Sequence, residues 1–139
     1  MPDLKKIYCL TPIYNDWESF AILLENLDKI QSKFSKEFDF SVIAVNDGST
    51  EMLLNDYSTF PFEVNILNLK INIGHQRAIA VGLQYIYNEI ENFDYVVVMD
   101  SDGEDKPENI VELLNKIKQE HNGKIIFAQR KKKARINFI

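Results

Sequence analysis

Five carboxylates fall within nine positions directly after an apolar run: Asp100, Asp102, Glu104, Asp105 and Glu108 in "YVVVMDSDGEDKPENIVELL", Tyr95 to Leu114. Asp100 and Asp102 are two residues apart, so in an extended chain their side chains point to the same side, and a turn beginning at Gly103 brings Glu104 round to join them. Such a set of oxygens suits Mg2+ or Mn2+, hard ions that hold a nucleotide diphosphate through few carboxylates. A calcium loop of the EF-hand type is excluded. Counting from Asp100, the sixth position is Asp105 where glycine is needed, and the twelfth is Val111 where glutamate is needed. Asp105 and Glu108 read more simply as charges that favour the positive end of a following helix. Asp100 and Asp102 come before that helix, and a cap does not account for both.

No other phosphate-binding device stands in the chain. There is neither a G-x-x-x-x-G-K-[ST] loop nor a G-x-G-x-x-G after the first apolar run, so phosphate would have to be neutralised by a metal or by Arg77. Asn46-Asp47-Gly48 reads equally as an ordinary turn or as part of a site. Asn72 and Gly74 close a loop ahead of a helix. His75 has no His or Cys partner at ligand spacing and reads as a loop or cap residue.

These polar segments need a frame to hold them. Short β-branched runs at Lys6 to Thr11, Phe40 to Asn46, Glu63 to Leu69, Tyr95 to Asp100 and Lys124 to Gln129 read as strands, and their continuous hydrophobicity predicts a sheet covered on both faces. Between them Phe20, Leu23, Leu24, Leu27, Ile30 and Phe34 recur at helical spacing, as do Ile79, Leu83, Ile86 and Ile90, and Ile110, Leu113, Leu114 and Ile117. Asn15 with Glu18 resembles a capping box, Pro107 suits a first helical turn, and Gly82 inside a helix marks close helix-to-sheet packing. Alternating strands and helices predict an open, mainly parallel α/β sheet in one domain over residues 1–139. In such sheets ligands bind outside the carboxyl ends of the strands. The segments "TPIYND", "NDGSTE", "NIGHQR" and "DSDGED" all fall there and share one rim.

Composition narrows the function classes. A chain of 139 residues, 45% hydrophobic, supports a real core, and its net charge of -5 argues against a general nucleic-acid binder. Cys9 is the only cysteine, the start "MPDLKKIYCL" lacks the long apolar core of a signal peptide, and no apolar stretch nears the roughly 20 residues that span a bilayer. A reducing, cytoplasmic setting is expected, with any membrane contact peripheral.

Taken together, "TPIYND", "VNDGST", "NIGHQRAIAVGL" and "VVVMDSDGEDKPE" resemble the family 2 glycosyltransferases of the GT-A fold, in order and over nearly the whole chain. The nearest branch is that of the polyprenyl-phosphate and dolichol-phosphate sugar transferases. The resemblance implies a nucleotide-diphosphate sugar donor, UDP-glucose-like or GDP-mannose-like, and Mn2+ or Mg2+ as cofactor. It implies that Pro12, Tyr14 and Asn15, in the loop after the first strand, lie along the nucleoside, and that Asp47 contacts base or ribose. Asn72, Gly74 and Arg77 would close over the nucleotide. Asp100, Ser101 and Asp102 form the D-x-D stretch, its two aspartates binding the metal and the ribose-diphosphate region. Glu104 stands where related synthases often have Gln, as a further metal ligand or as added charge.

The same resemblance implies an acceptor such as a polyprenyl phosphate at the cytoplasmic face of a membrane, and a chain that is the donor-binding portion, with the acceptor side beyond its fifth strand. The run Arg130, Lys131, Lys132, Lys133 and Arg135 reads as a solvated tail, or as a surface for prenyl phosphate or anionic lipid. A sugar-phosphate nucleotidyltransferase would carry a glycine-rich loop with a basic residue after the first strand, and "TPIYND" has neither. A non-catalytic nucleotide-sugar-binding or regulatory module remains as the alternative.

Overall fold

The computed structural model describes residues 4–51, 56–100, 107–119, 125–129 and 135–138. Strands and helices alternate as β1 (Lys5–Ile13), α1 (Trp17–Lys33), β2 (Phe38–Asn46), β3 (Glu63–Asn68), α2 (His75–Glu89), β4 (Tyr95–Val98), α3 (Pro107–Gln119), β5 (Ile125–Gln129) and β6 (Arg135–Phe138). They build one sheet in the order β3-β2-β1-β4-β5-β6. β1 to β5 run parallel, and β6 returns antiparallel beside β5. The strand order reverses between β1 and β4, which opens a crevice at their carboxyl ends.

The near-continuous apolar runs are explained by burial on two faces. Ile7, Cys9, Phe40, Val42, Ala44 and Val97 face a cluster with α1 and α3. The alternate residues Tyr8, Leu10, Ile43, Val45, Val96 and Val98 face α2. This is the period-two alternation of a pleated strand with apolar residues on both sides. The helical spacings place Phe20, Leu23, Leu24, Leu27 and Ile30 of α1 in the first cluster with Ile110, Leu113 and Leu114 of α3, while Phe34 follows the end of α1 and is partly buried, and the side chain of Ile117 lies outside those described. On the other side Ala78 and Ile86 are buried, with Ile79, Leu83 and Ile90 packed around them. Gly82 is where α2 comes nearest the sheet. A Cβ there would collide with Leu10 Cδ1 and lie 3.0 Å from Val45 Cγ2, so glycine sets the depth to which α2 seats.

Apart from strand ends shifted by one or two residues, with β2 starting at Phe38, β3 ending at Asn68 and β4 ending at Val98, two features of the sheet differ from expectation. β1 does not end at Thr11 but continues through Pro12 to Ile13, and Pro12 is buried within the strand rather than lying in the loop after it. Ile13 O accepts the Asp47 N–H on the β2 side at 2.8 Å, and Leu10 O accepts the Met99 N–H on the β4 side at 2.9 Å. Polar groups of successive residues face alternate neighbours in a parallel strand, so Pro12, two beyond Leu10, turns its missing donor toward β4. The β1–β4 pairing stops at Leu10↔Val98, and no ladder bond is lost. The second difference is β6, whose four residues are too few for periodicity to stand out. Of the basic run, residues 130–133 lie outside the described residues, and Arg135 is the first residue of this strand.

Burial also decides the chemistry of Cys9, whose thiol is pushed up from 9.0 to about 12 by desolvation. The folded value lies above the unfolded one. Its contribution to stability is therefore complete below pH 9.0 and is lost as pH rises toward about 12, because the unfolded thiol ionises first. Urea unfolding across that window should show a steeper alkaline loss for the wild type than for Cys9→Val, and native Cys9 should resist iodoacetamide. Parallel pH profiles for the two proteins would refute the assignment.

Candidate functional site

The predicted rim is built by the segments that follow β1, β2, β3 and β4, and three of them are laced together by polar side chains. After β1, Asn15 adopts the left-handed conformation, φ 62°. Its N–H donates to Ser49 Oγ at 2.9 Å, its Nδ2 donates to Thr50 Oγ1 at 3.0 Å, and its Oδ1 accepts the Glu51 N–H at 3.0 Å. Trp17, the first residue of α1, donates from Nε1 to Glu51 O at 2.9 Å. The capping box expected from Asn15 and Glu18 is therefore not formed. Asp16 precedes the helix without a side-chain cap, because Asn15 is spent on the loop after β2. Tyr14, beside it, is exposed.

The end of β2 is held from the other side as well. Asn46 donates from Nδ2 to Asn68 Oδ1 at 2.9 Å and accepts the Ser49 N–H on its own Oδ1 at 3.1 Å. Asp47 is only 3% exposed. Its Oδ1 accepts the Ile73 N–H at 2.7 Å, and its Oδ2 accepts the Gly74 N–H and Asn72 Nδ2, each at 3.1 Å. Asn72 Nδ2 also donates to the Asp47 carbonyl at 3.0 Å. Gly48 turns the chain at φ +66° with its backbone pressed against Ile71 and Asn72, where a Cβ would meet the Asn72 nitrogen.

Gly74, φ 98°, starts α2 and is followed by His75, whose Nε2 lies 2.8 Å from Asp100 Oδ1. That contact joins the β3–α2 segment to the end of β4 across the crevice. Arg77, in the first turn of α2, is exposed and makes no ion pair among the described residues. Of the residues expected in the site, Asp47, Asn72 and Gly74 are joined to one another by hydrogen bonds, and Asn15 is bound to the 49–51 segment that follows Asp47. Asp100 closes the opposite wall, and Tyr14 and Arg77 face solvent. Ser101, Asp102 and Glu104 lie outside the described residues, as does Asp105, while Glu108 falls in the first turn of α3.

Sequence reasoning missed His75. As a lone imidazole it offered no ligand spacing, and its partner is 25 positions away at the end of another strand. Ser49, Thr50 and Asn68 were missed for the same reason. Their pairing depends on strand register, and the only signal was the place of Ser49 and Thr50 in a rim segment and of Asn68 near the end of the third apolar run.

Among the described residues no three His, Cys, Asp or Glu converge on one point. Asp100, 28% exposed in its side chain, presents one carboxylate to solvent at the mouth of the crevice. That chemistry fits a hard divalent ion that keeps several of its waters.

A family model described as Glycosyl transferase family 2 matches residues 8–138. The chain is 30% identical over 131 residues to the uncharacterized glycosyltransferase YkcC of Bacillus subtilis (strain 168), covering 89% of this chain and 36% of the relative. It is 29% identical over 120 residues to an undecaprenyl-phosphate 4-deoxy-4-formamido-L-arabinose transferase of Photorhabdus laumondii, covering 84% and 35%. A dolichyl-phosphate beta-glucosyltransferase of Trichomonas vaginalis, ALG5A, is 29% identical over 116 residues, covering 78% and 34%. The crystal structure of S. aureus TarS 1-349 superimposes with a TM-score of 0.62 at 23% identity, over 84% of this chain and 33% of that one, which supports the fold. The chain thus spans about a third of the length of these relatives.

Proposed function

The chain belongs to glycosyl transferase family 2, and from that premise we propose that it binds a nucleotide-diphosphate sugar at the carboxyl edge of β1, β2 and β4, for transfer to a polyprenyl phosphate. The observation that carries this reading is the meeting of the β1, β2, β3 and β4 ends around the point of strand reversal, with Asp100 at its mouth. The acceptor class is supported by relatives named as undecaprenyl-phosphate and dolichyl-phosphate transferases.

In this reading the exposed ring of Tyr14 offers the base a flat surface, and the exposed guanidinium of Arg77 faces the diphosphate. Asp100 and Asp102, with Glu104 as a further ligand, would hold Mn2+ or Mg2+. Bound there, the ion supplies Lewis-acid stabilisation of the departing diphosphate. A prenyl phosphate is already anionic, so a carboxylate base is not needed to activate it. No helix among the described residues is long and apolar enough to cross a membrane. In this reading the lipid-borne acceptor is met at a cytoplasmic membrane face, with the basic run from Arg130 to Arg135 as a candidate surface.

Calorimetric titration with UDP-glucose and GDP-mannose, each with and without Mn2+, tests the proposal. One of the two should bind, and its affinity should depend on the metal. Absence of binding by either sugar nucleotide in the presence of Mn2+ would overturn it.

A further inference from the structure

We propose that His75 is a positioning residue for Asp100: its imidazole holds one oxygen of that carboxylate at the end of β4, and so sets how the carboxylate meets a divalent ion. His75 Nε2 donates to Asp100 Oδ1 at 2.8 Å, within the range of hydrogen bonds to an ionised acceptor. The role of the ion rests on the donor-binding reading above, whereas the contact itself does not.

The two partners are carried differently. His75 is the first residue of α2, where Ala78 N–H closes the turn on Gly74 O at 2.9 Å. Ala78 is buried, and Gly82, one turn further on, lies against Leu10 and Val45, so the helix that carries the imidazole is seated on the sheet. Asp100 stands past the paired part of its strand. The β1–β4 register ends at Leu10↔Val98, Met99 still donates to Leu10 O at 2.9 Å, and Asp100 comes next. A carboxylate beyond the ladder takes its orientation from its side-chain contacts, and His75 supplies one from across the crevice.

Fold stability does not account for the pair. The two side chains are 57% and 28% exposed, and a contact so open to water adds little to folding. Its consequence lies in what it presents to the crevice. A carboxylate held through one oxygen is already oriented, so an ion that takes it as a ligand need not order it first. Partners of this kind behind a metal ligand typically change metal affinity by about 10- to 100-fold.

Mn2+ alone is the first probe, titrated into the ligand-free protein and followed by EPR. His75→Ala should weaken its binding about tenfold with the melting temperature unchanged, and His75→Gln, whose amide N–H can donate in place of Nε2–H, should recover most of the loss. The spin-echo spectrum of bound Mn2+ should show no directly coordinated imidazole nitrogen, because His75 acts through Asp100. Unchanged Mn2+ affinity in His75→Ala, or a coordinated nitrogen that disappears in His75→Gln, overturns the inference.

UDP and GDP, each titrated by calorimetry with Mn2+ and with a chelator, give the second readout. The affinity with Mn2+ should fall about tenfold in His75→Ala while the affinity in chelator stays the same. Equal falls in both would mark a structural role, or a contact of His75 with the nucleotide itself, and would overturn the inference. A wild type that binds Mn2+ and neither nucleotide refutes the donor-binding reading, and the Mn2+ titrations still decide the role of His75. If wild-type protein takes up no Mn2+ with or without nucleotide, the inference falls too.

Discussion

Asp102→Ala is expected to abolish the Mn2+-dependent part of nucleotide-diphosphate binding while the fold survives. The chain has no glycine-rich phosphate loop, so in the proposed reading the charge of a diphosphate is met by a metal or by Arg77. Asp102 follows Asp100 by two residues, and Asp100 is presented to solvent at the mouth of the crevice beside His75. Removal of an outer partner of a metal ligand typically costs 10- to 100-fold in affinity, so loss of a direct carboxylate ligand should cost more than about 100-fold. In sequence Asp102 comes after the last residue of β4 and before the first of α3, so melting temperature should change little. The measurement is UDP or GDP binding with Mn2+ against the same titration in a chelator. A variant whose binding keeps its full metal dependence would remove Asp102 from the site. Asp100→Ala should act likewise, and it also releases His75 from its 2.8 Å partner.

The second large effect concerns the junction behind the site. Gly48→Val should destabilise the protein by about 3 kcal/mol or more, from two independent causes. The backbone at Gly48 lies at φ +66°, where an L side chain costs about 1 to 2 kcal/mol and a β-branched one more. A Cβ there also meets the nitrogen of Asn72 and the carbonyl carbon of Ile71, backbone atoms that cannot swing aside as a flexible side chain can. Relief requires moving the turn that Asp47 holds. Urea denaturation should therefore show that Gly48→Ala costs clearly more than the ~1 to 2 kcal/mol of the left-handed conformation alone. A loss within that range would show that the close approach of the Gly48 backbone to Asn72 carries no energy.

Which parts of this protein were legible in its sequence follows from what a linear pattern can encode. Burial is local and periodic, so the runs of β1, β2 and β4 disclosed a sheet covered on both faces. Phe20, Leu23, Leu24, Leu27 and Ile30 likewise disclosed the buried stripe of α1. Pro107 begins α3 as its fixed backbone angle suggests, and Gly82 lies where α2 touches Leu10 and Val45. The polar segments at the strand ends marked one rim, since parallel strands all deliver their carboxyl ends to the same edge.

The partners of those polar groups were not legible. Asn15 carries the signature of a capping residue, yet its side chain bridges to Thr50 and Glu51, whose position beside it follows from β1 pairing with β2. Asp47 reads as a turn residue or a ligand contact, and the sheet places it beneath the 72–74 turn. His75 meets Asp100 only because β4 is inserted next to β1, on the side away from β2. Hydrophobic periodicity fixes which face of an element is buried, with free energy summed over many residues and therefore robust to detail. A hydrogen bond between residues 25 to 36 positions apart depends on strand order and register to within about an ångström, and those are set by the packed structure as a whole.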